Sequence, residues 1–329
     1  FLRVCWQCVA ALALAAAGGG LGRRLLRLEG LNRLTRAALE VAFGLGVLAP
    51  GVLLIGTLFG LPPWLLWIAL PLLLFTLRRY ALNWMRDWES TRDLWRHSGV
   101  FERAIAVFIA LGALATLSMA LSPPVKFDAL MYHLTLPQAY LGHGGITYLP
   151  WIIMTGMPQT VEMLHAWMMT LAGAEGAITL GWLVCHMCVL GLVGYLHERL
   201  GSSSAWVGAA ALLGGYTVMT STAWGYADWW GLTFGFGMLV CLAQWQAECD
   251  RPWLLRAGIF AGMALACKYT AGVALLTGLV FVLWKGKNNL RALAWNGLTF
   301  AGAALLVMLP WFVRNMLATG NPVYPLLFE

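Results

Sequence analysis

Apolar runs of about twenty residues recur along the whole chain, and they dictate its solvent. About 20 helical residues, rising 1.5 Å each, cross the roughly 30 Å hydrocarbon core of a bilayer. Lipid offers the backbone no hydrogen-bond partner, so a crossing segment must satisfy its own N–H and C=O groups, as a helix does. The pattern predicts helices at 4–22, 38–60, 62–77, 104–122, 176–196, 204–220, 230–247, 255–267, 270–284 and 291–312. The expected fold is therefore an all-α polytopic bundle of about ten spans. The stretch 255–284 contains Lys268 and reads as two half-length helices meeting at that lysine; its rival is one long helix with a buried lysine.

Composition excludes a soluble domain. Hydrophobic residues make up 60% and charged residues 11% of the chain, against about 45–50% and about 25% in soluble proteins. Eighteen Trp suit the membrane–water boundary. The net charge of +7 comes from short basic clusters between apolar runs. That is the pattern of cytoplasmic loops, and no nucleic-acid partner is expected. Cys5/Cys8 and Cys185/Cys188 form C-x-x-C pairs, but the second lies in an apolar run, where thiols are inert rather than metal-ligating. No Walker A sequence is present, which argues against direct use of ATP. Phe1 and Glu329, the latter just past a Pro-rich turn, read as cut ends of a longer protein.

Orientation follows from Lys and Arg. With loop 23–36 inside, successive crossings also place 78–103, 197–203, 248–256 and 285–291 inside. Of 21 basic residues, only Arg3, Lys126, Lys268 and Arg314 then fall outside, leaving 17 within. Residues 123–175 break the alternation. They are rich in Pro and Gly, and two short helices, 129–141 and 159–172, are expected to lie along the outer surface. Segment 78–103, with Trp84, Trp88 and Trp95, reads as an amphipathic surface helix inside.

This topology collects the unusual charges on the charge-poor side: Asp128, Glu162, Asp228, Lys268 and Arg314. Charges at membrane depth are expensive and mark functional sites. A carboxylate can take a proton from a hydroxyl or bind a divalent cation. Lys and Arg can hold a phosphate. Together they suit transfer from a phosphate-linked lipid carrier.

The run Phe127-Asp128-Ala129-Leu130-Met131-Tyr132-His133-Leu134, with Pro137 and Tyr140, resembles the first outer loop of membrane-embedded GT-C glycosyltransferases. Relatives there include lipid A aminoarabinose transferases, protein O-mannosyltransferases and uncharacterised bacterial members. Met157-Pro158-Gln159 with Glu162, Ala266-Cys267-Lys268-Tyr269-Thr270, and Pro310-Trp311 through Arg314-Asn315 to Asn321-Pro322-Val323-Tyr324-Pro325 are similar to the bacterial branch. The resemblance covers residues 104–329. It leaves 1–103 as additional N-terminal helices before a GT-C-like core that is truncated at its C-terminus.

The resemblance implies a transferase of the bacterial inner membrane that works on the periplasmic face. It would move a sugar from a polyprenyl-phosphate carrier to a glycan, lipid or protein acceptor. Asp128 matches the catalytic base, with Glu162 and Asp228 as further active-site carboxylates. Tyr132, His133, Lys268, Tyr269 and Arg314 would bind substrate. A metal requirement is left open. The relatives place the Asp after their first span, whereas here it follows the fourth, with about three additional spans ahead of that one.

Two other readings stand beside this one. A GT-C-like scaffold without catalysis could serve as a subunit of a larger membrane complex. A transporter should carry polar residues near the midplane and an internal repeat, and the charges here sit at the rim. His133 and His165 flank the site, and a lone His is more often a hydrogen-bonded interface residue than a catalyst. Gly258, Gly262 and Gly272 suit close helix packing better than phosphate binding.

Overall fold

The computed structural model describes residues 1–327, and no strand occurs among them. The chain opens with α1 (Leu2–Leu26), α2 (Arg33–Leu58), α3 (Pro63–Asp87), α4 (Ser90–His97) and α5 (Val100–Ala120). A π-helical turn (Ala129–His133) leads to α6 (Thr135–His143), then α7 (Thr160–Leu200), α8 (Ser202–Leu213) and α9 (Tyr216–Ser221). Next come α10 (Asp228–Glu248), α11 (Arg251–Leu265), a 3-10 turn (Tyr269–Gly272), α12 (Val273–Gly286) and α13 (Leu290–Thr319).

Among the described residues, seven helical segments are long and apolar enough to cross a membrane: α1, α2, Pro63–His97, α5, α7, Tyr269–Gly286 and α13. The difference from about ten lies in α8, α10 and α11. α8 has 12 residues and α11 has 15, about 18 and 22 Å at 1.5 Å per residue. The predicted run 204–220 is interrupted at Gly214–Gly215, between α8 and α9. α10 is long enough, but two Gln and three Trp temper its hydropathy. At Lys268 the backbone is extended (φ −166°, ψ 139°), so α11 ends before it and a new helical segment starts after it.

The chain divides into two compact units, Phe1–Ile146 with Glu162–Tyr226, and Thr147–Val161 with the chain from Ala227 on. The division at residue 103 read from the sequence concerns an added segment, which packing does not address.

In the first unit α1 packs on α2 and α3 through small residues. A Cβ on Gly44 would lie 1.8 Å from the Gly18 carbonyl oxygen, and one on Gly22 would lie 1.8 Å from that of Glu40. Only glycine permits this backbone-to-backbone approach, the packing mode of helices in lipid. Trp84 is buried against the same seam, and its indole N–H donates to Ala37 O at 2.8 Å. Segment 78–103 is therefore not one surface helix. Its first part continues α3 to Asp87 with one face buried (Ala81, Trp84, Asp87) and the other exposed, and only α4 is short and separate.

Helix α7 corrects the second expected surface helix. Residues 158–168 are all buried, whereas a helix lying on a bilayer leaves one face to water. The segment runs on into the next predicted span, interrupted only at Gly173, whose φ of 76° and ψ of −177° break the helical ladder. The break releases carbonyls upstream. Trp6 Nε1 donates to Leu171 O at 2.7 Å and Gln7 Nε2 to Ala172 O at 3.4 Å, while Arg3 pairs with Glu175 at 3.0 Å. α1 thus supplies the donors that the interrupted helix cannot.

In the second unit α11 packs closely on α13. Cβ atoms on Gly258 and Gly262 would fall 2.3 Å and 2.6 Å from the Phe300 and Ala304 carbonyl oxygens.

Candidate functional site

The residues singled out in the sequence fall into two clusters, one in each unit.

The first is built on the π-helical turn. Leu134 N–H donates to Ala129 O at 2.9 Å, the i to i−5 bond of a π turn, a geometry that recurs at functional sites. Asp128 caps its start, half-buried, and its backbone N–H donates to the Tyr226 hydroxyl at 3.2 Å. Tyr132 and His133 lie within the turn, with ring centroids 3.9 Å apart. His133 Nδ1 is 2.5 Å from Glu162 Oε1, and the two side chains are only 1% and 2% exposed.

Pro137 explains the next contact. It has no N–H, so the carbonyl four residues back, that of His133, lacks its usual helical donor. His165 Nδ1 donates to that oxygen at 3.0 Å. Glu162 and His165 are three residues apart on α7, hence on one face, and both reach His133. His133 Nε2, His165 Nε2 and Glu162 Oε2 are buried without a hydrogen-bond partner among the described residues. Around the rim, Tyr226 lies 5.7 Å from His133 and 5.4 Å from Trp224, ring to ring, and the Lys126 ammonium sits 4.5 Å over the Trp224 ring.

The second cluster gathers around the break at Lys268. Lys268 Nζ lies 3.6 Å from Asp228 Oδ1 at the start of α10, with side chains 23% and 59% exposed. Tyr269 donates from its hydroxyl to Tyr324 O at 3.1 Å and lies within electrostatic reach of Arg314. The half-buried Arg314 guanidinium sits 5.6 Å over the Trp311 ring. Beside it, Asn315 donates to Gly156 O at 2.5 Å and to Tyr324 O at 3.2 Å, tying the segment after α13 to the loop before α7. Tyr148 in that loop meets Tyr324 edge-on, centroids 6.1 Å apart. Loss of solvent and the Tyr324 phenol push the Tyr148 hydroxyl up to about 12, against the opposing pull of Arg314.

The structure thus brings His133, Tyr132 and Glu162 together and joins Lys268 to Asp228. It places Asp128 at the exposed edge of the first group and Glu162 deep within it. Tyr226, Tyr148, Tyr324 and Asn315 belong to the clusters although the sequence reading gave them no role. The Glu162–His165 spacing was the available signal for the buried pair. No group of three His, Cys, Asp or Glu side chains is arranged to hold a metal ion among the described residues.

Compared with known proteins, the chain matches no family model, no curated protein and no solved structure.

Proposed function

We propose that the chain is a GT-C-like membrane glycosyltransferase that takes a sugar from a polyprenyl-phosphate carrier. One observation carries this reading: Asp128 is a half-exposed carboxylate at the edge of a π turn whose His133 is buried and bonded to the buried Glu162 of α7. A rigid backing under one accessible carboxylate is what a general base needs.

In this mechanism Asp128 removes the proton from an acceptor hydroxyl. The oxygen attacks the anomeric carbon with inversion, the bond from that carbon to the phosphate oxygen breaks, and the lipid phosphate departs with the electron pair. The cations suited to holding a lipid phosphate are Lys268 and Arg314 of the second unit, with Tyr269 adjacent to Lys268 in sequence and within reach of Arg314. Any divalent cation would share that duty. The full reading keeps about ten spans, counting the shorter helices α8 and α11 among them. It places the Asp128 loop on the periplasmic side of a bacterial inner membrane, with the basic loops opposite.

The test is sugar transfer by purified protein from a polyprenyl-phosphate donor, comparing wild type with Asp128→Asn. Asn keeps the size and loses the basicity. The rate should fall by about 10²–10⁴-fold. An unchanged rate removes Asp128 as base. A wild type that transfers nothing from any lipid-linked donor favours the non-catalytic scaffold.

A further inference from the structure

At the ends of α1, α2 and α3, four charged side chains close on one another. Arg23 pairs with Glu40 at 3.0 Å and also with Asp87, and Arg36 pairs with Asp87 at 2.7 Å. Two cations meet two carboxylates, so this group is neutral in itself. The carboxylates are almost withdrawn from solvent, with 2% and 9% side-chain exposure.

Arg33 and Arg86 stand outside that balance. Both are exposed, and neither joins an ion pair among the described residues. The Arg86 guanidinium makes only a long 3.5 Å contact to Asn83 Oδ1. Arg23, Arg33, Asn83, Arg86, Asp87 and Glu89 line an open cavity of about 410 Å³, within the range of small-molecule sites. With Asp87 committed to Arg23 and Arg36, two arginines face one remaining carboxylate, Glu89. The wall is net positive and offers planar guanidinium donors, which suit the oxygens of a phosphate.

The surroundings point to where that phosphate comes from. α1, α2 and α3 are apolar and of spanning length, and the cavity lies at their charged ends. The large apolar side chains of Leu25 on α1 and of Leu82 and Met85 on α3 are more than half exposed near these ends. A headgroup in the cavity would leave its acyl chains against such side chains. We propose that this cavity binds the phosphate of an anionic phospholipid headgroup, held by Arg33 and Arg86. Basic pockets between membrane helices are suited to such headgroups.

The experiment uses the full chain purified in neutral detergent, with bound lipid counted by native mass spectrometry. Phosphatidylglycerol and phosphatidylcholine are the probes, and inorganic phosphate is the soluble competitor. Wild type should retain phosphatidylglycerol over phosphatidylcholine, and high salt should release it. Arg33→Gln with Arg86→Gln should weaken binding by about thirtyfold, while Arg291→Gln, an equally exposed cation elsewhere, should not. Both arginines are exposed, so the helical circular dichroism spectrum should be retained, and the salt response of the wild type stands as a second readout free of any mutation. Unchanged phosphatidylglycerol binding in the double variant overturns the proposal. Displacement of the lipid by inorganic phosphate at comparable concentration overturns the lipid assignment in favour of a soluble phosphate.

Discussion

Two polar pairs in this protein are built on opposite terms. His133 and Glu162 meet at 2.5 Å with 1% and 2% of their side chains exposed. Lys268 and Asp228 meet at 3.6 Å with 23% and 59% exposed. The first has lost its water and depends entirely on its partner, because an uncompensated buried charge or donor is expensive. The second keeps much of its hydration, so either member can exchange its partner for another ion at small cost. A phosphate could take over Lys268 in a way that no ligand could take over His133 without unfolding the turn around it. The buried pair therefore serves as scaffold, and the exposed pair is the one open to exchange.

The sharpest way to break this contrast is to remove one member of each pair. Glu162→Ala leaves His133 Nδ1 buried without an acceptor and opens a cavity in α7. Breaking a buried pair costs about 3–5 kcal/mol. Glu162→Gln keeps an acceptor oxygen and should lose much less. His133→Phe combined with Glu162→Leu removes both polar groups and should recover most of the stability, since an apolar pair of similar volume leaves nothing unsatisfied. Thermal or denaturant unfolding in detergent measures all three. If Glu162→Ala unfolds like wild type, the dyad is not structural.

Lys268→Ala is the matching change in the exposed pair. Its stability should stay within about 1 kcal/mol of wild type. Under the proposed glycosyltransferase reading, its effect should appear instead as weaker binding of a polyprenyl-phosphate donor. A stability loss comparable with that of Glu162→Ala would erase the distinction between the two pairs.

The sequence announced some of this architecture and concealed the rest, for identifiable reasons. Apolar runs and Pro/Gly breaks are local, so each predicted span lies mostly in helix, and the interruption at Lys268 could be seen from a cation inside an apolar stretch. The count of crossings depends on lengths that breaks such as Gly214–Gly215 alter. Burial of 158–168 was hidden because the same apolar residues suit a membrane surface or a protein core, and only tertiary packing decides between them. The partner of Glu162 depends on the π turn, whose register no helical wheel anticipates, and Pro137 separately frees the His133 carbonyl for His165. In the second cluster, Lys268 and Arg314 were legible as charges, but the contacts of Asn315 and Tyr324 were not, since Asn315 donates to backbone carbonyls and Tyr324 offers one, which leaves no mark in residue type.

The smallest expected effect concerns Tyr148, which borders the second cluster outside the spans. Its hydroxyl is pushed up to about 12 by loss of solvent and by Tyr324, with Arg314 pulling the other way. A free tyrosine ionises near 10. The folded state therefore holds this proton more tightly than the unfolded chain. The corresponding stability is present in full below about pH 10 and is lost as pH rises from about 10 to about 12, because over that window the unfolded chain releases the proton first. Tyr148→Phe cannot ionise, so its thermal midpoint should fall less than that of wild type between those two pH values. Arg314→Gln removes the opposing pull and should move the Tyr148 titration, followed by tyrosinate absorbance as the difference from a Tyr148→Phe background, to still higher pH. Equal alkaline losses in wild type and Tyr148→Phe would show that another group sets the alkaline limit. An Arg314→Gln titration that does not move would show that the guanidinium is turned away from the Tyr148–Tyr324 pair, and Arg314 would then lose its place among the exchangeable charges to which Lys268 belongs.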